Sequence, residues 1–205
     1  MSNRSLARRL RNDHVAHTPR IYEAFVHIDR RQFVPLFHKA QAYYDQALPI
    51  GHHQTISQPY TVGFMLELLR PETGNKVLDV GSGSGWTSAL LAYIVGPQGV
   101  VHGVERIPEL VDKSRKAVAK FNMSHLHMHE CASGVMGLPE EAPFDRILVS
   151  AAAQEVPQEL LDQLAAPGVL VMPIGHALVQ VIKDEHGQVH TETYEGFLFV
   201  PLMAP

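Results

Sequence analysis

At 205 residues the chain is long enough to bury one substantial core without dividing into several domains. Its 45% hydrophobic and 19% charged content and formal net charge of −4 suit a soluble globular protein and give no electrostatic reason to bind nucleic acid. The one cysteine, Cys131, excludes an internal disulfide and suits a reducing cytoplasm, and no apolar run approaches the ~20 residues that span a bilayer. The expected setting is cytoplasmic, with no membrane partner. Nothing argues for a large apolar interface, so a monomer is the default. Leu6, Leu10 and Val15 could form one face of a short N-terminal helix, expected to be solvated and partly ordered. Residues 20–28 and 59–69 look helical; in the second, Val62, Met65, Leu66 and Leu69 recur at helical spacing. Between them, residues 33–58 are rich in Pro, Gly, His and aromatics without a sustained period, the mark of a functional wall or lid.

From Lys76 the chain changes character. Residues 76–80 (KVLDV) form a short apolar run ending in glycines, hence a buried strand. The spacing then predicts a helix over 86–95, a strand over 100–105, a helix over 108–121 and a weak strand over 126–129. A strand over 146–149, a helix over 157–164 and a strand over 169–172 follow. Strands alternating with helices imply a parallel sheet wrapped on both faces. Residues 178–183 and 194–200 flank a turn around His186 and Gly187, which predicts an antiparallel hairpin at the far end. The expected architecture is one doubly wound α/β domain, 1–205, with a helical N-terminal cap and active-site loop over 1–75 and a nucleotide-binding sheet over 76–205.

The segment Gly81-Ser82-Gly83-Ser84-Gly85 joins a strand to a helix. Glycines there let the backbone turn sharply and approach a nucleotide closely. Glu105 closes the second strand, where a carboxylate can accept hydrogen bonds from both ribose hydroxyls. The dinucleotide fingerprint G-x-G-x-x-G fails, because Trp86 holds its last position. Asp79, two residues before the first glycine, would attract an ammonium and repel a pyrophosphate. Both features favour S-adenosylmethionine over NAD. With Pro59 near the first turn of its helix, Ser57 also reads as an N-cap. His52 and His53 are adjacent and poorly placed to share a metal, so no metal is expected.

These residues resemble the protein-L-isoaspartate (D-aspartate) O-methyltransferase family. The stretch from Leu48 to Pro59 (LPIGHHQTISQP) is similar to its signature P-I-G-x-G-Q-T-I-S-x-P, and further matches run in the family's order from Phe33-Val34-Pro35 to Phe199-Val200-Pro201-Leu202. The resemblance implies a class I S-adenosylmethionine-dependent methyltransferase fold. It also implies methylation of the isoaspartyl carboxylate in damaged proteins and peptides, which leads through a succinimide back towards aspartate. By position it assigns Ser57 as the active-site serine, with Thr55, Ile56, Ser57, Gly81, Ser82, Gly83 and Glu105 holding the cofactor.

Two positions depart from the family pattern. Its usual Gly-Asp-Gly after the third strand, whose Asp meets the adenine amino group, reads Ala132-Ser133-Gly134 here, and His53 stands where glycine is usual. Ser133 and Gly134 are still expected at the cofactor. These departures leave two alternatives: a different peptide or small-molecule carboxylate as acceptor, or a non-catalytic homologue with weakened cofactor binding. Carboxylate methylation needs no general base, because the nucleophile is already ionised near neutral pH.

Overall fold

The computed structural model describes residues 2–132 and 134–202. Seven strands, β3 (Lys76–Val80), β4 (Val100–Glu105), β5 (Leu126–Glu130), β6 (Phe144–Val149), β7 (Leu164–Ile174), β8 (Ala177–Lys183) and β9 (Val189–Glu195), form one sheet in the order β5-β4-β3-β6-β7-β8-β9. The pairs from β5 to β7 are parallel, and β7-β8-β9 are antiparallel. β3 is buried along nearly its whole length, which is why KVLDV reads as an unbroken apolar run and not as an alternation.

Adjacent residues of each central strand feed opposite faces. Val77 and Leu148 join the larger core, and Leu78 and Ile147 join the smaller one. The larger core lies under α3 (Pro59–Leu69), α4 (Trp86–Val95) and α5 (Pro108–Val118), with α1 (Asn3–Asn12) and α2 (Pro19–His27) packed outside them. The other face is covered by α6 (Gln158–Gln163) and a 3-10 turn, Pro139–Glu141. The sheet is therefore wrapped on both faces as the alternation predicts, but unequally.

Three expectations are corrected. The N-terminal helix is not a solvated appendage, because Leu6, Ala7 and Leu10 are at most 1% exposed and belong to the main core. Residues 33–58 are not structureless. They hold a 3-10 turn, Leu36–Gln41, and a hairpin of β1 (Leu48–Gly51) and β2 (Gln54–Ile56), and another 3-10 turn, Arg30–Gln32, comes just before them. The last strand is 189–195 instead of 194–200. Asp184 accepts the amides of His186 and Gln188 at 2.8 Å each, closing a tight turn that starts β9 at once. β9 is solvent-exposed at all but one position, so it carries no apolar alternation to announce it. The apolar run 197–200 instead crosses to the sheet's C-terminal edge, where Ala152 donates to the Val200 carbonyl at 2.8 Å and Leu202 to the Ala152 carbonyl at 2.7 Å. Among the described residues no helix is long and apolar enough to cross a membrane.

If α1 is part of the core, Leu10→Ala should destabilise the chain by about 2–5 kcal/mol. Urea unfolding with an unchanged slope checks this, and a near-neutral result would mean that α1 contributes little.

Candidate active site

Short loops at the C-terminal ends of parallel strands leave a crevice where the strand order reverses. Here that reversal falls between β3, whose next strand β4 lies on one side, and β6 on the other. Gly81, Gly83 and Gly85 all have positive φ, 73°, 52° and 83°, a region open to glycine at little cost. A Cβ on Gly83 would lie 3.3 Å from Ile50 of the β1-β2 hairpin, and one on Gly85 would lie 3.0 Å from Ser114 of α5. The loop is thus pressed between the hairpin and α5, and residue size is limited on both sides.

Glu105 is 6% exposed. One carboxylate oxygen accepts the Gly83 amide and the other the Ile107 amide, each at 3.0 Å. Its backbone carbonyl accepts the Cys131 amide at 2.9 Å. One residue therefore ties the glycine loop, the β4-α5 turn and the end of β5 together. Each carboxylate oxygen keeps a second lone pair.

Around this point opens a cleft of about 350 Å³. Thr55, Ile56, Ser57, Gly81, Ser82, Gly83 and Glu105 all line it, so seven of the ten residues singled out from sequence meet at one place. Ser82 is buried, and its Oγ has no hydrogen-bond partner among the described residues. An unpaired buried hydroxyl on a cleft wall is a group that a ligand can satisfy.

Two other expected residues lie elsewhere. Asp79 is fully buried, and its carboxyl does not line the cleft. Ser88 of α4 donates to one of its oxygens at 2.5 Å, while the other has no partner among the described residues. Burial pushes this carboxyl up to about 7 and the nearby Glu105 charge adds to the rise, while the Ser88 hydrogen bond opposes it. Strand alternation turns it away from solvent towards α4. Gly134 occupies an open turn off the cleft, and Ser133 lies outside the described residues.

Ser57 stands between β2 and α3, where the cleft meets a second groove of about 680 Å³. Thr55, Ser57, Ser150 and Val200 line both, and the crossing segment 195–199 forms the groove's far wall. The N-cap of α3 is Gln58 and not Ser57, and it makes no side-chain capping bond. Asp45 serves the helix start instead, accepting the Tyr60 amide at 2.8 Å and the Gln58 side chain at 3.2 Å. The Ser57 hydroxyl is thereby released from capping. The Ser57 carbonyl accepts Arg30 at 3.0 Å.

The hairpin tip is a two-residue turn, His52-His53, with φ of 53° and 57°. Such turns need positive φ at both central residues, so His53 adopts a backbone that glycine would adopt more easily. Both histidines line the cleft. Among the described residues no group of three or more His, Cys, Asp or Glu could hold a metal ion.

Sequence reasoning missed the wall formed by Cys131, Val135, Met136 and Gly137. Gln163, 4% exposed, builds it: its side chain accepts the Leu138 amide and donates to the Met136 carbonyl, both at 2.8 Å. Gly137, at φ 79°, sits where a Cβ would strike Gln163. A polar residue at the end of a short helix gives no local signal for this; the positive-φ glycine is its one trace.

A family model described as protein-L-isoaspartate(D-aspartate) O-methyltransferase (PCMT) matches residues 1–204. The protein-L-isoaspartate O-methyltransferase of Methanocella arvoryzae is 44% identical over 178 residues, covering 86% of this chain and 94% of that one. That of Aeropyrum pernix is 44% identical over 202 residues, covering 97% and 78%. A Plasmodium falciparum structure, assigned as an enzyme of this name and solved with S-adenosyl-L-homocysteine, superposes over 100% of both chains with a TM-score of 0.87 at 24% identity. That likeness shows the fold.

The sign of the Asp79 shift sets a pH dependence. The folded chain holds this proton up to about pH 7, whereas the unfolded chain loses it near pH 4. The associated stability is complete below the unfolded value and is lost as pH rises through the folded one. Asp79→Asn, which can still accept the Ser88 hydroxyl, should therefore gain stability over the wild type between pH 5 and 8. Urea titrations of the ligand-free chain at the two pH values test this, and an unchanged difference would refute it.

Proposed function

The chain belongs to the protein-L-isoaspartate(D-aspartate) O-methyltransferase family, and from that membership we propose that it methylates the carboxylate of isoaspartyl residues in damaged proteins and peptides, using S-adenosylmethionine. The observation that carries the reading is the meeting, at Ser57, of a cleft of about 350 Å³ that holds Glu105 and the glycine loop and a separate groove of about 680 Å³ that leaves room for an acceptor.

The cleft suits the cofactor on grounds internal to it. Glu105 has acceptor capacity left over after binding two backbone amides. Ser82 offers an unpaired hydroxyl, and the left-handed glycines keep side-chain bulk away from the ligand. Thr55, Ile56, Ser57, Gly81, Ser82, Gly83 and Glu105 would hold it. Asp79 lies beneath the loop, outside the cleft lining, and Cys131, Val135, Met136 and Gly137 would flank the base. When bound, S-adenosylmethionine supplies a methyl group on a cationic sulfur, open to attack by a carboxylate.

The protein's own work is alignment and exclusion of water. The acceptor carboxylate is already ionised at neutral pH, so no base is required. Ser57 donates one hydrogen bond to orient it. The hairpin and the crossing segment 196–202 flank the junction, and a bound acceptor would complete the exclusion of water that strengthens charge interactions there. Attack brings opposite charges together and disperses them, so removal of water from between the partners favours the reaction once they are aligned. Residues 1–205 act as one unit in this reading, with 1–75 carrying Ser57 to the edge of the sheet.

Label transfer from S-adenosylmethionine to an isoaspartyl peptide, but not to its aspartyl counterpart, is the expected result. No transfer at saturating cofactor would defeat the proposal. Glu105→Gln exchanges one acceptor oxygen for a donor that must face a backbone amide. S-adenosylhomocysteine affinity, read by calorimetry, should fall roughly ten- to a hundredfold, and an unchanged affinity would remove Glu105 from the site.

A further inference from the structure

Arg30 and Arg31 are neighbours in sequence with opposite fates: Arg31 is exposed and Arg30 is completely buried. A buried charge needs close compensation from polar groups. Arg30 finds it in four backbone carbonyls. One terminal nitrogen donates to Ala42 at 2.8 Å and Tyr44 at 3.4 Å, and the other to Gln46 at 2.9 Å and Ser57 at 3.0 Å. The four terminal N–H groups meet four carbonyls, a match that only a planar fork can make. The guanidinium also lies 5.0 Å over the ring of Trp86, the residue that opens α4 behind the glycine loop. It is thus wedged between the segment bearing Ser57 and the helix bearing the nucleoside loop.

We infer that Arg30 is a positioning residue for methyl transfer: by gripping the Ser57 carbonyl and the 42–46 loop at once, it sets where the Ser57 hydroxyl points across the cleft. The inference rests on the methyl-transfer reading. Ile56, before Ser57, pairs with Leu48 across the hairpin, and the Gln58 carbonyl, after it, accepts the Val62 amide at 3.1 Å in the first turn of α3. With the backbone on both sides held by bonds that do not involve Arg30, the Ser57 carbonyl is the remaining point from which the side chain's direction is set, and Arg30 occupies it. Glu105, on the nucleoside side, has no hydrogen bond to Arg30.

Arg30→Lys is the informative substitution, because it keeps the charge but replaces the fork with a compact ammonium bearing three donors. The expected result is a roughly tenfold fall in kcat towards an isoaspartyl peptide, with S-adenosylhomocysteine affinity within about twofold of wild type. In a Ser57→Ala background the same substitution should cost less than about twofold, since no hydroxyl remains to be misplaced; contacting residues that act as a unit are non-additive in this way. A purely structural role would cost the same in both backgrounds. Equal losses in the two backgrounds, a wild-type kcat in Arg30→Lys, or a parallel loss of S-adenosylhomocysteine affinity would each overturn the inference. Absence of label transfer in the wild type would instead sink the methyl-transfer reading. Calorimetric binding of the isoaspartyl peptide to the chain loaded with S-adenosylhomocysteine then still decides Arg30: weaker binding by Arg30→Lys is expected, and equal binding refutes it.

Discussion

The Glu105 carboxylate holds the cleft together. Its two oxygens take the amides of Gly83 and Ile107, one on the loop after β3 and the other on the turn after β4. Two parallel strands can leave their C-terminal ends at many relative angles. A single charged acceptor between them selects one, and charge-assisted bonds to backbone amides are the stronger kind. The same carboxylate has lone pairs left to face a ligand, so the group that shapes the wall is also available to bind.

Beneath it sits Asp79, out of water and bound to Ser88. Burial raises the cost of ionising Asp79, and the nearby Glu105 charge adds to it. A cation in the cleft would ease that cost, whereas a pyrophosphate would add to it. The charge pattern therefore favours a sulfonium nucleoside over a dinucleotide even though Asp79 does not reach the cleft wall. Asp45 divides labour in a comparable way at the start of α3: by accepting the Tyr60 amide, it leaves the Ser57 hydroxyl free of capping.

The departures from the family pattern have different standing. His53 is seated in a left-handed turn beside His52, a conformation costly for a side-chain-bearing residue but held by the hairpin pairing on either side. The cleft wall of Cys131, Val135, Met136 and Gly137 is braced by Gln163, which bonds the Leu138 amide and the Met136 carbonyl.

Several features were legible in the sequence because they follow from local rules. Alternating strand and helix periods, the glycine run after KVLDV and the spacing to Glu105 reflect backbone geometry within a few residues, and they place the cleft at the sheet edge without knowledge of any distant contact. The motif around Ser57 marked a segment that the fold sets where the cleft and the second groove meet. What only tertiary structure decided depends on bonds between residues far apart in the chain: Arg30 to Ser57, Gln163 to Leu138 and Ala152 to Val200. Such bonds leave no imprint on periodicity, because a buried arginine or glutamine looks like a surface one until its partners arrive. The same reason hid β9, an exposed strand defined by its pairing with β8, and it turned Asp79 towards Ser88.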